Sequence, residues 1–292
     1  MKIGTRGSQL ARWQADWVRA RLAEQGVPAE LVVIKTQGDA EIDRPLHELE
    51  GKGFFTKEIE EALLDGRIDV AVHSLKDLPT ALPDGLALAA IPKRHDPRES
   101  LVGGTSLSDL PAGTRIGTSS LRRIAQVRFL RPDLQVVPLR GNVPTRVRKV
   151  ETGDGLDAAL LAIAGLERLE LGHKASLIDP LDVMPAPGQG ALGIEIRADD
   201  RATRKALAPL HDRESAAAVS AERALLAALG GGCQAPVAAW VDDDRLYARV
   251  TERDGAAQLT ASATLDPKHP ETSGERVGAL LEREGAASLL AR

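Results

Sequence analysis

The sequence predicts an α/β protein with two similar lobes, each built on a mainly parallel sheet, followed by a small α+β domain. The prediction depends on a strand–turn–helix pattern that occurs twice, two segments where the chain can cross between lobes, and a change of pattern near Asp212. A chain of 292 residues with 43% hydrophobic residues is long enough for two or three packed domains. We assign residues 1–91 plus 190–210 to the first lobe, 97–186 to the second, and 212–292 to the third domain.

The two halves of the first 200 residues follow the same order of predicted elements. Residues 3–8 and residues 116–120 each predict a short strand and a Gly/Ser/Thr turn that opens a helix, where serine or threonine can cap free N–H groups. A second strand follows at 31–38 and at 134–141, then a further helix, a glycine and an apolar strand near 68–72 and 156–161. Repeated βαβα runs of this kind are typical of lobes with parallel sheets.

The predicted crossings are a polar segment at 91–98 and a segment rich in proline and glycine at 184–190. A chain that crosses twice forms a cleft with a hinge, where small ligands often bind. In the third domain, a helix over 214–229 precedes three strands near 236–241, 246–251 and 258–265, and one amphipathic helix over about 270–290. The only cysteine, Cys233, falls in the first loop of this domain.

Composition excludes several classes of function. With 38 Lys and Arg against 42 Asp and Glu, the net charge of −4 does not favour coating nucleic acid or an anionic membrane. No apolar run approaches the ~20 residues that span a bilayer. Six scattered histidines and one cysteine show no metal-ligand spacing, so no metal is expected. A strand-like start without a signal-peptide core, together with a single cysteine, predicts a cytoplasmic location.

Basic residues are concentrated in one window. Residues 115–149 contain nine Lys or Arg and one Asp, a net charge of +8. Arg122 and Arg123 fall at a predicted helix N-terminus and Arg140 follows the next strand, so they converge with Arg146 on one sheet edge. Arginine pairs well with carboxylates and phosphates, which favours an anionic ligand. Nucleic acid is the competing ligand, but the acidic total and the scarcity of interleaved aromatic residues oppose it.

A candidate for acid–base chemistry follows the apolar strand of the first lobe. Residues 73–77, His-Ser-Leu-Lys-Asp, end this strand with polar groups. If the strand continued, Lys76 and Asp77 would point to opposite faces, whereas a turn would bring both to the cleft. There, Asp77 could move protons and stabilise a developing cation, while Lys76 holds an anionic substituent. The alternatives are a surface ion pair for these two and a structural role for His73.

Cys233 has two interpretations. It follows three glycines, which allow the backbone to approach a ligand closely, a setting that suits a presented nucleophile. Against this, free cysteines are often buried and act as small hydrophobic residues. The sequence position leaves both roles open.

Several of these segments together resemble the porphobilinogen deaminase family. The matching stretches are TRGS at 5–8, GKGFFTKE at 51–58, VHSLKD at 72–77, GTSSLRR at 117–123, LRGNV at 139–143, PGQGA at 187–191 and GGCQ at 231–234. They occur in family order and cover nearly the whole chain, with few family marks after about Asp242. The resemblance implies two lobes similar to periplasmic binding proteins and a third, smaller domain.

The resemblance also implies an activity and a cofactor. Enzymes of this family are transferases of tetrapyrrole and heme synthesis. They join four porphobilinogen molecules head to tail, release ammonia, and free linear hydroxymethylbilane by hydrolysis. The chain grows on a dipyrromethane cofactor, joined through a thioether to the cysteine that matches Cys233. The carboxylate that matches Asp77 is the central catalyst, which assists loss of ammonia and stabilises cationic intermediates.

Site residues follow by similarity. Cofactor contacts are expected from Ser8, Lys76, Thr118, Ser120, Arg122, Arg123 and Gly190. Substrate contacts are expected from Arg6, Ser119, Arg140, Arg146, Arg168 and Gln189. Lys52 and Phe55 fall in a segment that resembles the family's mobile loop over the cleft. The family further implies a monomer that binds porphobilinogen, without nucleic acid or membrane partners. The alternative is a non-catalytic two-lobed binding protein for a small polycarboxylate, which would need the arginines but not Asp77 or Cys233.

Overall fold

The computed structural model of the protein describes residues 1–36, 56–232 and 235–291. Within these residues the strands form two five-stranded sheets and one three-stranded sheet. Each five-stranded sheet is the centre of one lobe, and the three-stranded sheet belongs to the third domain. The predicted α/β fold class with two lobes and a small α+β domain is therefore confirmed.

The first lobe contains strands β1 (Lys2–Thr5), β2 (Glu30–Val33), β3 (Val70–Ser74), β4 (Leu86–Ala90) and β10 (Leu192–Arg197), and helices α1 (Gln9–Glu24), α2 (Lys57–Leu64) and α6 (Arg201–Leu207). The sheet order is β2-β1-β3-β10-β4. β1 is parallel to β2 and β3, whereas β10 is antiparallel to β3 and β4. α1 begins where expected, because Ser8 Oγ accepts a hydrogen bond from the Ala11 N–H at 3.3 Å.

The second lobe contains strands β5 (Glu99–Val102), β6 (Arg115–Gly117), β7 (Gln135–Val137), β8 (Ala158–Ala162) and β9 (Ala175–Leu177), and helices α3 (Leu121–Leu130), α4 (Val143–Glu151) and α5 (Ile163–Glu167). The sheet order is β7-β6-β8-β5-β9. β6 is parallel to β7 and β8, and β5 is antiparallel to β8 and β9. Ser120 stands at the N-cap of α3 but makes no side-chain cap bond, so the predicted capping is observed at α1 only.

The two lobes share one topology, which confirms the predicted duplication. In each sheet four strands run in one direction. The strand in fourth place runs in the opposite direction, and the chain enters it from the other lobe. β5 follows the first crossing and β10 follows the second. Both inserted strands start at the cleft, where the parallel strands end, and therefore run the opposite way. Four of the five strands in each sheet thus share one direction, as expected, but each sheet is mixed, with two parallel and two antiparallel pairings. The domain borders assigned above remain a prediction.

The two crossings touch each other at Gly190. Gly190 has a φ of +85°, and a Cβ atom built there would lie 2.5 Å from the carbonyl oxygen of His95 and 3.1 Å from that of Asp96. The backbone N–H of His95 in turn donates to the Gly190 carbonyl at 3.3 Å. Only glycine allows this conformation and this approach without strain. Gly190 is thus required for the packing of the two crossings.

Replacement of Gly190 by alanine is expected to lower the free energy of unfolding by more than about 2 kcal/mol, because it adds a backbone clash to an unfavourable φ. Gly155→Ala is the matched control, since Gly155 has a φ of +76° and a Cβ atom added there would meet nothing else in the described chain within 4 Å. That control should lose only about 1 kcal/mol, the cost of the left-handed conformation. Urea unfolding measures both. Equal losses would contradict the clash.

The third domain places three strands against helices. Its elements are α7 (Arg213–Ala228), β11 (Val237–Asp242), β12 (Arg245–Thr251), β13 (Gln258–Thr264), α8 (Pro270–Arg283) and α9 (Ala286–Ala291). The sheet is antiparallel in the order β11-β12-β13 and packs on α7 and α8 through an aliphatic core. The prediction of one final helix is wrong, because Gly285 adopts a φ of +100° and separates α8 from α9.

Two buried side chains join the third domain to the rest of the molecule. Glu222 on α7 accepts hydrogen bonds from Arg94 Nη1 in the first crossing at 2.7 Å and from the Gly188 N–H in the second crossing at 2.7 Å. Arg249 on β12 donates to Gln126 Oε1 on α3 at 2.9 Å. The third domain therefore contacts both crossings and the second lobe. In the ranges that the structure covers, no helix is long and apolar enough to cross a membrane.

Candidate active site

A cleft lies between the two lobes, beside the ends of their parallel strands. It contains about 510 Å³ of space, part of it open to solvent. The first lobe and the second crossing contribute Leu10, Ser74, Lys76, Gly190 and Ala191, and the second lobe contributes Arg123, Val143, Arg146, Leu161, Ala162, Ala164, Gly165 and Arg168. The wall of the cleft thus combines aliphatic side chains with four cations, which suits a ligand with apolar rings and several negative charges.

Lys76 and the candidate catalyst Asp77 lie in a turn and not in a continued strand. β3 ends at Ser74, and a 3-10 turn spans Leu75–Asp77, so the alternation of a strand does not apply here. Lys76 lines the cleft and Asp77 is exposed. The negative charge of Asp77 raises the pKa of both Lys76 and Arg146, which places the carboxylate within electrostatic reach of two cleft cations. Of the two arrangements considered above, the structure shows the turn, with Lys76 in the cleft lining and Asp77 exposed and outside that lining. The catalytic role of Asp77 remains a prediction.

Lys76 is a cation whose charge depends on its surroundings. Its Nζ donates to Gln189 Oε1 at 3.1 Å. Burial and repulsion by Arg123 lower the pKa of Lys76 to about 8, while attraction by Asp77 and Glu99 offsets part of the effect. A carboxylate bound beside Lys76 would favour its protonated form. Lys76 is therefore suited to bind an anion in the cleft.

Arg122 and Arg123 are held by one buried carboxylate, that of Glu99. Arg122 Nη2 donates to Glu99 Oε1 at 2.5 Å, and Arg123 Nη2 donates to Glu99 Oε2 at 2.7 Å. Burial alone would raise the pKa of Glu99, but the charges of Arg123 and Arg122 lower it to about 2. Arg123 lines the cleft, and its Nε has no hydrogen-bond partner among the described residues. Arg122 is not one of the lining residues, so the structure separates two arginines that the sequence treats alike.

Arg146 and Arg168 complete the cationic wall. Arg146 Nε donates to the Gly141 carbonyl at 2.8 Å, and Arg168 Nη2 donates to the Gly190 carbonyl at 2.7 Å. Burial lowers the pKa of both arginines to about 10, and repulsion by Arg123 and Arg140 contributes at Arg146. Within the described part of the chain, Arg168 Nε has no hydrogen-bond partner. These cations lack full compensation inside the protein, and an anionic ligand would supply it.

The basic window at 115–149 is not one exposed face. Arg122 and Arg123 are buried on Glu99, while Arg115 pairs with Asp157 and Arg131 with Asp133 at 2.7 and 2.6 Å. Much of the +8 charge is thus directed inward or matched locally. Glu99 was not predicted from the sequence, although a charged residue directly before the buried segment 100–102 is a signal that could have identified it.

Other predicted contact residues lie outside the lining of the cleft. Ser8 caps the N-terminus of α1, and Ser119 Oγ donates a hydrogen bond to the Leu139 carbonyl at 3.0 Å. Thr118 Oγ1 accepts from the Ser120 N–H at 3.2 Å, and Gln189 Nε2 donates to the Pro97 carbonyl at 2.8 Å. Arg6 and Arg140 are partly exposed. The binding roles of all these residues remain predictions. Cys233, Lys52 and Phe55 lie outside the described residues.

Two family models match the chain. The first, described as "Porphobilinogen deaminase, dipyromethane cofactor binding domain", covers residues 1–205, and the second, "Porphobilinogen deaminase, C-terminal domain", covers residues 216–283. A porphobilinogen deaminase from Syntrophotalea carbinolica is 49% identical over 300 residues, which span 100% of this chain and 95% of the relative. One from Moorella thermoacetica is 48% identical and spans 99% of this chain and 95% of the relative.

Solved structures of binding proteins are also similar. The methionine-binding protein MetQ has a TM-score of 0.45 and 15% identity, and the match covers 83% of this chain and 98% of that protein. A nutrient-binding protein from Burkholderia cenocepacia bound to methionine has a TM-score of 0.43 and 14% identity, covering 71% and 90%. Because both TM-scores are below 0.5, we base the two-lobe assignment on the two five-stranded sheets of this protein and not on these similarities.

Proposed function

The chain belongs to the porphobilinogen deaminase family, and we propose that it joins four porphobilinogen molecules head to tail in the cleft between its lobes. Each condensation releases ammonia, and hydrolysis finally frees linear hydroxymethylbilane. The observation that supports this most directly is the convergence of Lys76, Arg123, Arg146 and Arg168 on one cleft with apolar walls. Porphobilinogen carries an acetate and a propionate on a pyrrole ring, so each added unit brings two carboxylates and one flat ring. Cations and apolar walls match that chemistry.

The residues present also fit the dipyrromethane cofactor of the family, a group with four carboxylates. Two buried guanidinium Nε atoms, those of Arg123 and Arg168, have no partner in the described part of the chain and belong to residues that line the cleft. Lys76 and Arg146 add two further cations. We infer that these four side chains hold the cofactor and substrate carboxylates, and that Cys233 carries the cofactor through its Sγ. When bound, the dipyrromethane supplies the free pyrrole end on which the chain grows.

Asp77 is the group that we assign to the chemistry. As a carboxylate, it stabilises positive charge that develops on the substrate carbon as ammonia leaves, and it accepts the proton released when the carbon–carbon bond forms. Lys76 and Arg146 lie within reach of its charge and bind the substrate carboxylates, which fixes the reacting ring beside Asp77. Leu161 and Val143 add apolar side chains to the cleft wall, where the pyrrole rings would pack. In this proposal the cations bind the substrate carboxylates, and Asp77 accepts the proton.

We further infer that the protein acts as a monomer in the cytoplasm, as the family resemblance implies.

Replacement of Cys233 by serine should remove a covalent adduct of two pyrrole units that we expect on the wild-type chain. Mass spectrometry of the intact proteins measures this directly, because a thioether survives denaturation. Asp77→Asn is the matched control, since it should keep the adduct. An active wild-type enzyme with an unmodified mass would contradict the assignment of Cys233. A chain that only binds polycarboxylates would show no adduct and would not consume porphobilinogen.

A further inference from the structure

Trp13 contacts the cleft cation Arg168 from the opposite lobe. It lies on α1 of the first lobe, five residues after the N-cap Ser8. The guanidinium carbon of Arg168 lies 5.8 Å from the centroid of the Trp13 ring, within the range of a cation–π interaction. The ring of His95 in the first crossing meets the Trp13 ring edge-on, at a centroid distance of 6.0 Å and an interplanar angle of 89°. Trp13 thus contacts both the second lobe and the first crossing.

The contact with Trp13 matters for Arg168, because this buried guanidinium has few hydrogen-bond partners. It is only 4% exposed, and it lies after α5 at the second lobe's side of the cleft. Its Nη2 donates to the Gly190 carbonyl at 2.7 Å, while its Nε has no hydrogen-bond partner among the described residues. A desolvated guanidinium over an indole face is favoured more strongly than an exposed one. The indole therefore stabilises the cation without using its hydrogen-bond donors.

Trp13 does not serve mainly to fill the core. It is partly exposed, and within the described residues it is absent from the side chains that pack on the core of the first lobe, whereas Trp17 on the same helix belongs to them. It is also absent from the lining of the cleft. Any effect of Trp13 on substrate must therefore pass through a neighbour. Arg168 is the neighbour that lines the cleft.

We propose that Trp13 is a positioning residue for substrate binding: its indole face fixes the Arg168 guanidinium across the cleft and leaves the unpaired Nε for a carboxylate. The carboxylate is that of porphobilinogen or of the growing chain, so the inference rests on the proposed function. The arrangement also links the two lobes, because Arg168 contacts the first lobe through Trp13 and the second crossing through Gly190. Loss of the indole weakens substrate binding without changing the chemical step.

The test compares Trp13→Leu, which removes the aromatic face, with Trp13→Phe, which keeps one. Trp13→Leu should raise the KM for porphobilinogen about 3- to 30-fold and change kcat less than about twofold, the result expected when uniform binding is lost. Trp13→Phe should recover most of the KM. Trp17→Leu is the matched control, because Arg21 lies 5.8 Å from the Trp17 ring at the surface of the same helix. This control should leave KM unchanged even if it lowers stability.

A second measurement is independent of turnover. Calorimetric titration of porphobilinogen into Asp77→Asn, with and without Trp13→Leu, should show the same 3- to 30-fold loss of affinity. Unchanged KM and Kd in Trp13→Leu would overturn the proposal, and so would equal KM values for the Leu and Phe variants or an equal rise in Trp17→Leu. A wild-type protein that does not consume porphobilinogen would instead refute the proposed function, which keeps the two failures distinct.

Discussion

Replacement of Asp77 by asparagine is expected to lower turnover of porphobilinogen about 10²- to 10⁴-fold, the usual contribution of a positioned acid–base group. Asparagine keeps the size of the side chain but carries no charge and accepts no proton at neutral pH. The variant therefore loses both stabilisation of the cation that forms as ammonia leaves and the acceptor for the released proton. The 3-10 turn and the cationic cleft should persist, because Asp77 is exposed. A porphobilinogen-consumption assay measures the loss.

The same variant has a second expected effect, on the pH dependence of binding. Burial lowers the pKa of Lys76 to about 8, and the charge of Asp77 raises it within that balance. Without that charge the pKa of Lys76 falls further, so its positive charge is lost at lower pH. Substrate affinity should then weaken at a lower pH than in the wild type. Calorimetric titration of porphobilinogen at several pH values near 8 follows this shift.

Asp84→Asn is the matched control for both effects, because Asp84 is another exposed carboxylate of the same lobe but is not among the main charges that act on Lys76 or Arg146. It should leave turnover and the pH profile unchanged. Near-normal turnover in Asp77→Asn would remove Asp77 from the chemistry. A large loss in both variants would point to the charge of the lobe instead of a catalytic group.

Much of the fold could be predicted because its signals are local. The strand, Gly/Ser/Thr turn and helix of each lobe are contiguous in sequence, and Pro and Gly mark the second crossing. The direction of β5 and β10 could not be predicted, because it depends on which lobe each strand enters. The break at Gly285 was also missed, since a single glycine in an apolar helical pattern predicts a break only weakly.

In the candidate site, too, local sequence signals allowed prediction and contacts between distant segments did not. Charge pattern and resemblance identified Arg123, Arg146 and Arg168 as anion ligands, and all three line the cleft. The roles of Glu99 and Trp13 could not be predicted, because each depends on a contact between distant segments. Glu99 meets Arg123 only after β5 has entered the second sheet, and Trp13 meets Arg168 only across the interlobe cleft.

Glu99→Gln is expected to lower the free energy of unfolding by about 3–5 kcal/mol, the cost of breaking a buried ion pair from one side. Glu99 is fully buried and compensates two guanidinium groups, those of Arg122 and Arg123. Glutamine keeps the shape but leaves both buried cations without a counter-charge. Repulsion would also displace Arg123 from its place in the cleft wall, so porphobilinogen affinity should fall as well. Urea unfolding and calorimetric titration measure the two effects.

The pH dependence separates loss of charge from loss of packing. The pKa of Glu99 is lowered from 4.5 to about 2. The stabilisation by its charge is therefore complete above pH ~4.5 and is lost as the pH falls towards ~2. The difference in unfolding free energy between wild type and Glu99→Gln should be constant near neutral pH and shrink with acid. The surface variant Asp157→Asn, which breaks the exposed pair with Arg115, should show a much smaller difference. A Glu99→Gln difference that stays constant down to pH ~2 would mean that packing, and not the buried charge, holds the arginine pair in place.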